Sequence, residues 1–134
     1  MKTLLFFIII FCININIKAQ DIKTVIIKYV DFEIETPARV SCDRFDTVFG
    51  SINNVNVPKN KINNFVKKFN CYIKNLSEAD LNLDTRGKIE FYYENYRKIY
   101  CFNDYLISIN DKIYFMPKDI MVMINQIISN DSIK

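Results

Sequence analysis

Residues 88–115 read KIEFYYENYRKIYCFNDYLISINDKIYF, and this stretch sets the fold. Runs rich in Ile, Phe and Tyr (Lys88–Glu94, Arg97–Phe102, Tyr105–Ile109 and Lys112–Phe115) alternate with three two-residue breaks, Asn95-Tyr96, Asn103-Asp104 and Asn110-Asp111. Each break carries an Asn or Asp, residue types that tolerate the left-handed backbone of tight hairpins. Connections this short force neighbouring strands to pair antiparallel, so the stretch reads as a four-stranded meander. Two-residue turns throughout place Ile89, Phe91, Tyr93, Tyr100, Phe102, Tyr105, Ile107, Ile109 and Tyr114 on one face, the expected core side. The other face holds Lys88, Glu90, Tyr92 and Glu94 at one edge, then Ile99, Cys101, Leu106, Ile113 and Phe115. Its apolar half is expected to lie under another element.

A helix from Pro58 to about Leu76 precedes the meander, because Ile62, Phe65, Val66, Phe69, Ile73 and Leu76 recur at three- and four-residue spacing. Lys61, Lys67, Lys68 and Lys74 fall on the opposite half of its wheel, together with Cys71. Pro117 opens a final helix with Ile120, Met121, Ile124, Ile127 and Ile128 on its apolar stripe, and this helix could cover the second sheet face. Before the first helix, Ile22–Ile34 and Arg39–Cys42 read as two extended segments. Asp43–Phe49 reads as a short helical turn closed by Gly50, and Ser51–Val57 as a polar, Asn-rich connection. The order strand, strand, helix, meander, helix is α+β, with helices packed on an antiparallel sheet. A helix ahead of a four-stranded meander resembles cystatin-like folds in outline, which implies a binding module. The Gln-x-Val-x-Gly run that carries inhibition in cystatins does not occur.

The first residues read differently from the rest. Lys2, an apolar run from Leu4 to Ile13, the polar breaks Asn14 and Asn16, and the junction Lys18-Ala19-Gln20 describe a cleaved secretory signal over residues 1–19. Residues 20–134 then form a single α+β domain. The apolar run falls short of the roughly 20 residues needed to span a bilayer. Cys12 follows Phe11 inside that run rather than a small residue at its end, which argues against lipidation. The junction, with the Asn, Ile and Lys bias of the chain, resembles the short exported proteins of Bacteroidetes. That resemblance implies export through the inner membrane of a Gram-negative cell, to the periplasm or beyond, and carries over no functional residue.

Composition excludes whole classes of chemistry. The 134 residues are 50% hydrophobic and contain no His, which removes the usual general base, the triad imidazole and the commonest metal ligand. Two glycines, Gly50 and Gly87, cannot build a phosphate-cradling loop. Asp80-Leu81-Asn82-Leu83-Asp84 imitates the start of a calcium loop, but Thr85 and Phe91 stand where Gly and a bidentate Glu are required. No cofactor or metal is expected. Acid pairs such as Glu33 with Glu35, or Asp43 with Asp46, carry little weight without a pocket. Removing Lys2 and Lys18 leaves sixteen bases against fifteen acids, so global charge selects no partner and nucleic acid is not expected. Residues 47–77, however, hold five lysines and no acid.

Three cysteines remain after residue 19. Cys42 and Cys101 lie on expected strands, where they are either a disulfide or reduced core thiols, since strand parity does not give a Cα distance. Cys71 is expected to be a free, accessible thiol. Two surfaces are candidates for binding: the lysine face of the helix, Lys61, Lys67, Lys68 and Lys74, and the tyrosines of the meander, chiefly Tyr92, Tyr100 and Tyr114. The lysines suit an anionic surface, an acidic glycan or an acidic partner, and the tyrosines suit protein, peptide or sugar. Each set has an ordinary explanation as well, a solvated helix face and cross-strand packing. The leading expectation is an exported, non-enzymatic binding module using the meander surface or an edge strand. The alternative is a small exported hydrolase or thiol-redox protein using carboxylates or Cys71.

Overall fold

A computed structural model of the chain describes residues 21–131; the expected signal segment lies outside the described residues. The elements are β1 (Thr24–Tyr29), α1 (Phe45–Val48), β2 (Asn53–Asn56), α2 (Ile62–Tyr72), β3 (Gly87–Tyr92), β4 (Arg97–Phe102), β5 (Leu106–Ile109), β6 (Lys112–Phe115) and α3 (Lys118–Asp131). The class is α+β with an antiparallel sheet, as expected, but that sheet has six strands in the order β2-β1-β3-β4-β5-β6 rather than four. The polar connection Ser51–Val57 contains β2. There Val55 and Val57 alternate with Asn54 and Asn56, and the strand pairs with β1 (Ile27 opposite Val55). Asn has low strand propensity, and only the neighbouring strand reveals the alternation as a half-buried edge. Arg39–Cys42 forms no strand and crosses the sheet instead.

Of the three hairpins, the last turns at Asn110-Asp111 as expected, with φ of 51° and 63°, the left-handed pair a type I′ turn requires. The other two turn one residue away from the expected place. The first turns at Glu94-Asn95, where Tyr93 N–H donates to Tyr96 C=O at 2.9 Å and the two rings stack at 4.3 Å. The second turns at Asp104-Tyr105, because the Asn103 side chain accepts from the N–H groups of Tyr105 and Leu106, both at 2.9 Å. Moving a turn by one residue shifts the pairing by two, which keeps every side chain on its face. Tyr105 is the exception: it now sits in a turn and is 76% exposed instead of lying in the core.

Both helices pack on the same sheet face, so α3 does not cover the second face. Their stripes, Ile62, Phe65 and Phe69 of α2 and Ile120, Ile124 and Ile127 of α3, join Val25, Ile27, Ile89, Phe91, Phe102 and Ile107 in one cluster. Phe69 stands 5.1 Å from Phe91 and 4.9 Å from Tyr100, edge-on to the latter, and full burial of such a ring is worth roughly 1.5–3 kcal/mol. The expected Pro58–Leu76 helix is an α-helical core between two 3₁₀ turns, Lys59–Lys61 and Ile73–Asn75. Pro58 stands just ahead of it with ψ of 137°, and its carbonyl accepts from Lys61 N–H at 2.8 Å.

The second face is covered by loops. Ala79 and Leu83 of the connector pack with Cys42 on Cys101, Leu106, Ile99 and Ile113, while Val40, Phe45, Phe49 and Ile52 pack on Val30. Lys88 and Glu90, expected at a solvated edge, are buried at 4% and 1% exposure. The reason is topological: β3 lies third in the sheet, between β1 and β4. No described helix is long and apolar enough to cross a membrane.

Candidate interaction site

Cys42 and Cys101 are bonded, with Cα atoms 5.7 Å apart and a sequence separation of 59. The bridge fastens the crossing segment to β4 on the loop-covered face and fits an oxidising compartment. Cys71 is an exposed free thiol on α2. Lys61, Lys67, Lys68 and Lys74 are all exposed, and α2 with its flanking turns contains no acid. The tyrosines do not form one surface. Tyr100 and Tyr114 are half-buried against the helices, whereas Tyr92 lies on the loop-covered face, its hydroxyl donating to Glu90 Oε2 at 2.6 Å.

The loop-covered face holds a charged network that the sequence did not announce. Lys28 Nζ lies 3.2 Å from Glu90 Oε1 and 3.4 Å from Asp46 Oδ1, and Lys88 pairs with Asp46 Oδ2. Burial alone would lower the Lys28 pKa, but its bonds to Glu90 and the charges of Glu90 and Asp46 outweigh this and raise it. Burial likewise pushes Asp46 up, yet Lys88 and Lys28 hold its carboxyl below the usual range. Beside this network Asp84 accepts from both terminal nitrogens of Arg86, at 2.9 and 2.7 Å, and from Val40 N–H at 2.7 Å. Arg86 also donates to Thr36 Oγ1 and Thr85 C=O. Such pairing is what permits charges on a covered face, and it leaves those groups occupied. A cavity of about 130 Å³ brings Asp84 near Asp104, but the Asp84 oxygens are committed to Arg86. Among the described residues no cluster of three or more Cys, Asp or Glu could hold a metal ion.

The two edges of the sheet differ. At β6 the chain closes its own edge: Ala79 N–H donates to Ile113 C=O at 2.9 Å, and Phe115 N–H donates to Ser77 C=O at 3.0 Å. At β2 no such closure exists among the described residues. Val57 N–H donates to Val25 C=O at 2.9 Å, so with the two-residue period Asn53, Val55 and Val57 turn their backbone groups toward β1. Asn54 and Asn56 therefore point N–H and C=O away from the sheet.

Cavities flank this open edge. One of about 390 Å³ lies at its Asn53 end, bounded by Tyr29, Phe32, Asn125 and Ile128. At the Pro58 end lie cavities of about 510 Å³ and about 180 Å³, the first reached by Lys23 and Lys59, the second by Lys61 and Ile127, and both by Asp131. The alternation Asn54-Val55-Asn56-Val57 was the one signal that could have marked this strand from sequence, and the Asn content masked it. No protein family, curated protein or solved structure matches this chain.

Proposed function

We propose that the protein is a small exported, non-enzymatic interaction module that receives an extended segment of a partner on the open edge of β2. The observation that carries this reading is the contrast between the edges: the chain's own backbone closes β6, while β2 offers the N–H and C=O of Asn54 and Asn56 between cavities. An added strand would gain main-chain hydrogen bonds from those two residues and seat alternate side chains in the flanking cavities. The disulfide and the segment Leu4–Ile13 followed by Lys18-Ala19-Gln20 support export, with cleavage near Ala19. Commitment of Asp84 to Arg86 and of Asp46 to two lysines weighs against the hydrolase alternative, and an exposed Cys71 with no imidazole in the chain weighs against the thiol alternative.

Asn54→Pro is the test. It removes an N–H that points away from β1, so the sheet is retained while an added strand loses a donor and meets a ring. The unmodified protein should capture a partner from envelope or culture fractions, and N54P should lose it with its thermal stability intact. Capture that survives N54P overturns the edge reading. N-terminal sequencing of the exported product should begin at or within a few residues of Gln20, and recovery of the full-length chain inside the cell overturns export.

A further inference from the structure

We infer that the segment received by β2 is acidic, with its carboxylates toward the Pro58 end of the strand and an apolar side chain toward the Asn53 end. This rests on the edge reading above and names the chemistry of the partner. Lys23, Lys59 and Lys61 reach the two cavities at the Pro58 end, against Asp131 as the one acid lining them among the described residues. Residues 47–77, which hold β2 and the helix beside it, contain no acid at all. At the Asn53 end the lining is mixed, with Tyr29, Val30, Phe32 and Ile128 supplying apolar surface beside Asp31, Asn53 and Asn125.

The cations suit carboxylates rather than a single phosphate because they are spread around the strand end. Lys23 precedes β1, Lys59 and Lys61 lie in the turn after Pro58, and Lys59 and Lys61 line different cavities. Separate carboxylates on alternate residues of an extended segment stand about 6–7 Å apart and on one side, so such a segment offers several separated negative charges where a phosphate offers one centre. A second copy of this chain is the competing occupant. Antiparallel pairing of β2 with β2 about Val55 sets the lysine-bearing Pro58 end of each copy against the Asn53 end of the other, so the oligomeric state is read in the test.

The test uses the protein selected against a display library of random octapeptides. Recovered peptides should be enriched in Asp and Glu over the starting library, with an apolar residue toward one end. Their affinity should fall about tenfold in the K23Q/K59Q/K61Q variant, as expected for the loss of several exposed ion pairs. It should also fall as salt rises, and binding should be lost in N54P. Recovery of neutral or basic peptides whose binding is lost in N54P overturns the acidic inference and leaves the edge reading standing. Acidic peptides that bind N54P unchanged overturn both, because they then sit on Lys67, Lys68 and Lys74 of α2. Sedimentation that shows a dimer abolished by N54P identifies a second copy as the occupant and overturns the inference.

Discussion

Opening the Cys42–Cys101 bridge should cost this domain a large share of its stability. The bridge spans 59 positions, and loop-closure entropy for a ring of that size amounts to about 4 kcal/mol at 25 °C. For a domain a little over 100 residues long this corresponds to a fall of roughly 15 °C in Tm. Two perturbations separate the causes. Reduction leaves both sulfur atoms in place, so it reports loop closure alone, while C42A/C101A also removes a sulfur from a site where Cys101 is fully buried. The double variant should therefore be less stable than the reduced protein by about 1 kcal/mol, the usual cost of a small cavity. Thermal and urea unfolding followed by circular dichroism, with and without reductant, reads both quantities. The urea slope should rise on reduction, because an unbridged unfolded chain exposes more surface. If the reduced protein melts within about 3 °C of the oxidised one, the bridge does not restrict the unfolded chain as this reasoning requires.

Gly87→Ala should destabilise by about 1–3 kcal/mol, because a Cβ there would overlap three ring carbons of its cross-strand partner Phe102, the farthest of them 2.9 Å away. Adding Phe102→Leu should make the pair of changes less than additive in urea unfolding, and full additivity would show that the ring is not the obstacle. Asp46→Asn should lower stability near neutral pH by about 1–2 kcal/mol, since water can partly replace a carboxylate that is 42% exposed. The folded Asp46 pKa is depressed, so its contribution is present above the unfolded value of 3.8 and is lost as pH falls through the folded one. The two proteins should thus converge in Tm on acidification, and a gap that persists well below pH 3.8 contradicts the ion pairs. Lys28 acts in the opposite sense: its raised pKa gives a contribution complete below 10.5 and lost as pH climbs through the folded value. Maleimide added to the native, non-reduced protein should label Cys71 and spare Cys42 and Cys101, as peptide mapping will read; protection of Cys71 would mean that its face of α2 is covered.

What the sequence determined by itself was local periodicity. Alternation between short Asn- and Asp-bearing turns defined the meander, and three- and four-residue spacing defined the buried faces of α2 and α3. The one-residue errors in two turns left the faces intact because strand parity has a period of two. Tertiary structure decided what depends on partners distant in sequence. That β2 is a strand follows from its ladder to β1. The burial of Lys88 and Glu90 follows from the place of β3 between β1 and β4, and their tolerance there from Asp46 and Lys28, 42 and 62 residues upstream of Lys88 and Glu90 respectively. The disulfide was readable as two candidate positions, yet only the crossing of residues 39–49 over the sheet brought those Cα atoms to 5.7 Å. The open edge belongs to the same class, because an edge is defined by which strand lacks a neighbour. That is a property of the assembled sheet, and no stretch of sequence carries it alone.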